Sequence, residues 1–174
     1  MIPLSTARAS ATSGAFTFIR TSCNRNYELR QNGTVVGTLK RPSMWSRKFV
    51  AETADGSWTF RRSGFWNNRG EILDASGQVI ASFNAQYGSG ALTFNDGQVF
   101  HFTHKGWWRP VWTVSTSSDQ ALLYIHVREK RVELTPGMAR PDGRLVLVSM
   151  FVWYRIQQAE EDAASVAVMV AAGA

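Results

Sequence analysis

Leu145-Val146-Leu147-Val148-Ser149-Met150-Phe151-Val152-Trp153-Tyr154-Arg155-Ile156 is the stretch whose reading decides the fold. Only Ser149 and Arg155 interrupt its apolar character. The run is apolar on every face at either period, so periodicity does not separate a buried strand from a buried helix. Its length and the polar continuation over residues 157–162 favour a helix, with Asp142 as N-cap. The valines pull mildly the other way. A helix apolar all round has to be surrounded.

The rest of the chain supplies the surround. Asn32-Gly33, Asp55-Gly56, Ser76-Gly77 and Asp96-Gly97 each lie between short segments rich in Val, Ile, Phe, Trp and Thr, with glycines 23, 21 and 20 residues apart. Asn-Gly and Asp-Gly favour type I′ hairpins, whose two central residues need positive φ. In residues 57–62, Trp58 and Phe60 share one face while Thr59 and Arg61 share the other, the period-two mark of a half-buried strand. Segments of this kind total about eleven or twelve strands. Consecutive strands leave exposed edges unless the sheet closes. A barrel of this size has more interior than wall side chains fill. The expectation is therefore an all-β protein with one helix: a closed β-barrel of ~12 strands around a buried hydrophobic C-terminal helix. Residues 1–14 read as a flexible tail and 15–158 as the barrel domain, with its helix at about 143–158. Residues 159–174 read as a helical end or disordered tail.

At 174 residues the chain suits one domain. Its 19 Lys and Arg against 13 Asp and Glu give a net charge of +6, which favours anionic partners. Cys23 is the only cysteine, so no intrachain disulfide forms and a reduced, cytoplasmic setting is the simplest reading. Residues 1–12 have no apolar core of signal-peptide type. No stretch reaches the ~18 consecutive apolar residues of a transmembrane helix.

The hairpin series, the apolar C-terminal segment, and the motifs Tyr27-Glu28-Leu29-Arg30, Gly37-Thr38-Leu39-Lys40 and Glu71-Ile72-Leu73-Asp74-Ala75-Ser76-Gly77 resemble the tubby C-terminal-like superfamily. The nearer branch is that of phospholipid scramblases and LURP-one-related proteins. The likeness covers residues 16–156 and rests more on the order of elements than on any tripeptide. It implies a twelve-stranded barrel around a central helix, with phosphoinositide binding or calcium-linked lipid scrambling at membranes. The chain lacks an acidic calcium-type cluster, a Cys-rich segment and a Pro-rich N-terminal arm.

Chemistry-bearing patterns are sparse. His101 and His104, near Asp96, lie three apart on a predicted strand, so their imidazoles point to opposite faces and do not form a metal pair. No nucleophile motif surrounds Cys23, Glu160-Glu161-Asp162 reads as a solvated helix end, and no phosphate-binding glycine loop occurs. The reading is non-enzymatic, with no cofactor and no metal. Lys40, Arg41, Arg47, Lys48, Arg61 and Arg62 fall at the ends of successive strands, the first four flanking one loop, and are the candidate ligands for an anionic head group. Near a charged membrane surface each cation is worth ~1 kcal/mol. Arg128, Lys130 and Arg131 form a second group. Trp45 and Trp107 are the candidate membrane or stacking contacts. Trp58, Trp66, Trp112 and Trp153, and one of Trp107 and Trp108, fit barrel core.

The expected function is thus a binding module for anionic phospholipid or phosphoinositide head groups, cytoplasmic and peripheral at the membrane. The alternatives are a protein-interaction scaffold without a lipid ligand, which an exposed apolar wall would favour, and a nucleic-acid-binding protein, which a continuous positive stripe would favour.

Overall fold

The computed structural model describes residues 15–64, 68–86, 89–136 and 142–172. Strands follow in chain order as β1 (Phe16–Arg20), β2 (Tyr27–Gln31), β3 (Thr34–Lys40), β4 (Phe49–Thr53), β5 (Gly56–Ser63) and β6 (Arg69–Leu73). They continue as β7 (Val79–Gln86), β8 (Ser89–Phe94), β9 (Val99–Lys105), β10 (Val111–Thr116), β11 (Ala121–His126) and β12 (Arg131–Leu134), before helix α1 (Gly143–Ala172). Each strand pairs antiparallel with its neighbour in sequence, and β12 returns to β1 through Phe16↔Val132 and Thr17↔Arg131. The sheet is a closed twelve-stranded barrel.

Alternation along each strand separates the two faces of the wall. Phe16 and Phe18, Phe49 and Ala51, Phe100 and Phe102, and Leu123 and Ile125 point inward and are buried. Residues 147–154 of α1 are buried against them. Phe18 stacks on Trp153 with ring centroids 4.5 Å apart, and Phe60 meets Phe151 edge-on at 5.3 Å. Burying one such aromatic contributes ~1.5–3 kcal/mol, so the helix and the wall stabilise each other. Two glycines let the wall approach the helix closely. A Cβ at Gly37 would stand 2.8 Å from Met150 Sδ, and one at Gly70 would stand 3.0 Å from Phe151 Cζ.

Because consecutive strands alternate in direction, the four sequence turns all lie at one end of the barrel, the turn end. Only Asn32-Gly33 carries positive φ at both central residues (49° and 83°). At Ser76-Gly77 and Asp96-Gly97 the glycine alone is left-handed (84° and 88°). The Asp74 carboxylate accepts the backbone N–H of Ser76 and Gln78 at 2.9 Å, and Gly77 N–H donates to Asp74 O at 3.0 Å. That side-chain clamp selects a turn ending in a left-handed glycine, and Asp96-Gly97 takes the same form instead of the expected type I′. Register shifts at Leu29/Arg30, Ile72/Leu73 and Val114/Ser115 also sit towards the turn end.

α1 starts at the turn end. Asp142 Oδ1 accepts Leu145 N–H at 2.8 Å, the expected N-cap. The helix threads the barrel and leaves through the opposite, loop end. It stays buried as far as Gln158, then continues exposed to Ala171 except at the half-buried Glu161. Residues 159–172, read as a helical end or disordered tail, are therefore helical. The 1–14 tail, residues 173–174 and Phe65, Trp66 and Asn67 of the bridging segment lie outside the described residues. No described helix is long and apolar enough to cross a membrane.

The tryptophans depart from the expectation of a tryptophan core. Among the described residues Trp153 alone is fully buried, while Trp58 and Trp112 are half-buried against the core edge. Phenylalanines fill the inner face instead. Their shorter side chains fit the gap between wall and helix.

Candidate functional site

The loop end carries the β1–β2, β3–β4, β9–β10 and β11–β12 connections, and every predicted site residue sits on it or on the strand ends beside it. Gathering on one end follows from topology, since alternate connections share an end. Apart from Lys40 and Arg61, which pair along the outer wall, the side chains divide into two groups with different employment.

The first group holds the helix. Arg41, just beyond β3, is largely buried; it donates to Glu161 Oε1 at 2.6 Å and to Ser46 O at 2.6 Å, and lies over the Phe49 ring. Arg25 in the β1–β2 loop reaches the same Glu161 oxygen at 3.3 Å. Arg62 forks onto Asp162 at 2.7 and 3.1 Å. Glu160-Glu161-Asp162 is thus not a freely solvated helix end, because two of its three acids are counter-ions for rim arginines. Tyr27 OH donates to Gln157 Oε1 at 2.6 Å, and burial pushes its pKa up. Burial also pushes the Tyr154 phenol up to about 12, and its O–H donates to Arg47 O at 3.4 Å. Arg155 sits over the Phe83 ring at 5.0 Å, and burial, with Arg62 nearby, pushes its pKa down.

Two predicted cations pair along the outer wall. Lys40 Nζ lies 2.6 Å from Glu52, and Arg61 Nε lies 2.6 Å from Glu71. Strand alternation turns Arg61 outward and Arg62 toward the helix, so the Arg61-Arg62 pair does not act as one patch.

The second group faces solvent. Arg47 and Lys48 are exposed in the β3–β4 loop and make no ion pair among the described residues. Trp45 beside them is 91% exposed. Across the barrel, the β9–β10 loop presents Trp107, 90% exposed, and Trp108, 65% exposed. Both Trp107 and Trp108 precede β10, so neither fills the barrel core as one of the two was expected to. Gly106 (φ 82°) and Pro110 hold this segment out of the sheet, and Pro110 has no N–H to offer a ladder. Those two residues are the sequence signal that marks the loop. Trp107 meets Trp108 edge-on at 5.9 Å, and Arg128 from the β11–β12 turn lies over the Trp108 ring at 5.1 Å. Lys105, Arg109 and Lys130 complete this side, exposed and without an ion-pair partner among the described residues. Sequence reasoning missed Lys105 and Arg109. Arg131 instead pairs with Glu133 at 3.1 Å.

In the ring order the β3–β4 and β9–β10 connections are six strands apart in a barrel of twelve, hence on opposite sides of the mouth. Between the β1–β2 and β11–β12 loops a cavity of about 190 Å³ is lined by Arg20, Arg25, Tyr27, Lys130, Trp153 and Glu160. The buried Trp153 indole N–H has no acceptor among the described residues.

The turn end offers a larger groove of about 350 Å³ between Trp58, Ile80, Phe94 and Leu147. Arg144 crosses it, over the Phe94 ring at 4.6 Å and bonded to Asp96 and Gln98, so its polar groups already serve one another. Arg144 and the Gln98 N–H hold the Asp96 carboxyl below its usual pKa. His101 faces outward on β9, and His104, at the loop end, stacks obliquely on Trp112 at 5.2 Å, so the imidazoles do not converge. Among the described residues no group of three His, Cys, Asp or Glu side chains is placed to hold a metal ion. Cys23 is exposed in the β1–β2 loop.

No family model matches this chain, and comparison with curated proteins and with solved structures likewise finds no match.

Proposed function

We propose that this protein is a non-enzymatic, tubby-like binding module that docks on anionic membrane surfaces with the loop end of its barrel. One observation carries the reading: exposed tryptophans and cations without ion-pair partners among the described residues stand together on both sides of the same mouth. Trp45 with Arg47 and Lys48 forms one post, and Trp107 and Trp108 with Lys105, Arg109, Arg128 and Lys130 form the other. Two posts on opposite sides of a ring fit a broad, flat, negatively charged partner better than a small ligand. Tryptophan suits the boundary between head groups and acyl chains, and the cations supply ~1 kcal/mol each there. Membership in the scramblase and LURP-one-related branch belongs to the same proposal. That resemblance implies twelve strands around an apolar helix, and lipid head groups as ligands.

The test is vesicle flotation with phosphatidylcholine alone and with phosphatidylserine or phosphoinositide added, at low and high salt. Binding that needs the anionic lipid and weakens at high salt is expected. Absence of binding to every vesicle, or binding that ignores lipid charge and salt, overturns the proposal.

A further inference from the structure

We infer that the projecting end of α1, residues 163–172, inserts into the acyl layer of one membrane leaflet, standing the barrel upright with its loop end at the head groups. The inference rests on the membrane reading above and adds a hydrophobic anchor to it.

Beyond Asp162 the helix contains only Ala, Val, Met and Ser165. Val166, Val168, Met169 and Val170 are each more than half exposed. At 100° per residue these four side chains spread around the helix instead of forming one stripe. A helix that packs on a protein partner shows an apolar stripe and a polar back. This one has no polar back. Ser165, its only polar side chain, donates its hydroxyl to Glu161 O at 2.9 Å, so that group is already satisfied without water. The backbone groups of a helix are satisfied in the same way, which makes the segment compatible with hydrocarbon. Hydrocarbon is also the surrounding that covers every face at once.

The charges bordering the segment fit this placement. Glu161 and Asp162 would repel an anionic surface where the helix meets it, yet Arg25, Arg41 and Arg62 neutralise them. Six loop-end cations, Arg47, Lys48, Lys105, Arg109, Arg128 and Lys130, have no ion-pair partner among the described residues and belong to the two tryptophan posts. Ten residues rise ~15 Å, about half of the ~30 Å hydrocarbon core, so the segment reaches one leaflet's depth. Trp45 and Trp107, on opposite sides of the mouth, then sit at the interface as the helix descends between them.

An environment-sensitive fluorophore on Met169→Cys, in a Cys23→Ser background, reads the segment directly. Both positions are exposed, so folding is unaffected. With phosphatidylserine-containing vesicles, the expected result is a blue-shifted emission quenched by lipids spin-labelled at mid-chain. The double variant Val166→Gln, Val170→Gln should partition about 10–100-fold more weakly than the parent chain. Vesicle binding with a probe that stays in water overturns insertion and leaves head-group docking intact. Failure to bind any vesicle removes both. A blue shift that appears without vesicles and grows with protein concentration overturns insertion in favour of pairing with a second copy.

Discussion

The two ends of this barrel are built from the same hairpins and have opposite characters. The turn end is closed by tight connections in which Asp74 and Asp96 fold back on their own backbones, and its groove is bridged by Arg144. The loop end spreads Trp45, Trp107 and Trp108 into solvent, surrounds the emerging helix with arginines and leaves other cations without ion-pair partners among the described residues. Polar groups at the turn end satisfy each other, through nearby backbone at Asp74 and across the groove through Arg144, while several at the loop end are spent on the helix. Residues whose bonds are completed locally report on folding. Exposed residues are the ones the proposed binding would use.

The sharpest way to break the comparison is to ask whether the ends share one core. Phe151 touches Phe60 and Phe83 midway along the buried part of the helix, and Phe151→Ala should cost about 3–5 kcal/mol. Denaturant melting should then show one cooperative transition at a lower midpoint. Two transitions would mean that the ends fold separately.

Alkaline pH should act next, and on the helix's exit. Burial holds the Tyr154 phenol protonated up to about 12. Its stabilisation is complete below pH 10, where an exposed tyrosine begins to ionise, and is lost as pH rises toward 12, a difference of about 2–3 kcal/mol. Stability measured from pH 9 to 12 should fall in the parent chain and fall less in Tyr154→Phe. Equal slopes would remove Tyr154 as the cause.

Charge removal should show the smallest effect and the clearest asymmetry. Glu161→Gln leaves the part-buried Arg25 and Arg41 without their carboxylate and should cost about 1–2 kcal/mol. Arg144→Gln breaks a solvent-exposed pair at the turn end and should cost less than about 1 kcal/mol. Thermal melts of the two variants side by side check the order, and the reverse order would mean that the helix is clamped where it begins.

Much of the fold was legible because its signals are local. β2 and β3 flank Asn32-Gly33 as its hairpin reading requires, Asp142 caps the helix, and the all-apolar run lies inside a closed sheet. The exposure of the candidate site's residues was legible in part. Exposed Trp45, Arg47, Lys48 and Trp107 stand where loop chemistry placed them. Arg41 and Arg62 looked equivalent to Arg47 and Lys48, yet their partners lie 120 and 100 residues away on α1. No spacing rule connects a strand end to a helix acid at that distance.

By itself the sequence determined the hairpin series, the apolar run and the need for a closed wall, since turn chemistry, alternation and all-round hydrophobicity act between near neighbours. Only the tertiary structure decided which cations hold the helix and which face outward. It also decided that the tryptophan posts oppose each other across the mouth and that the helix emerges between them bare. Those facts depend on the number of strands and the length of the helix relative to the wall, which exist only once the ring has closed.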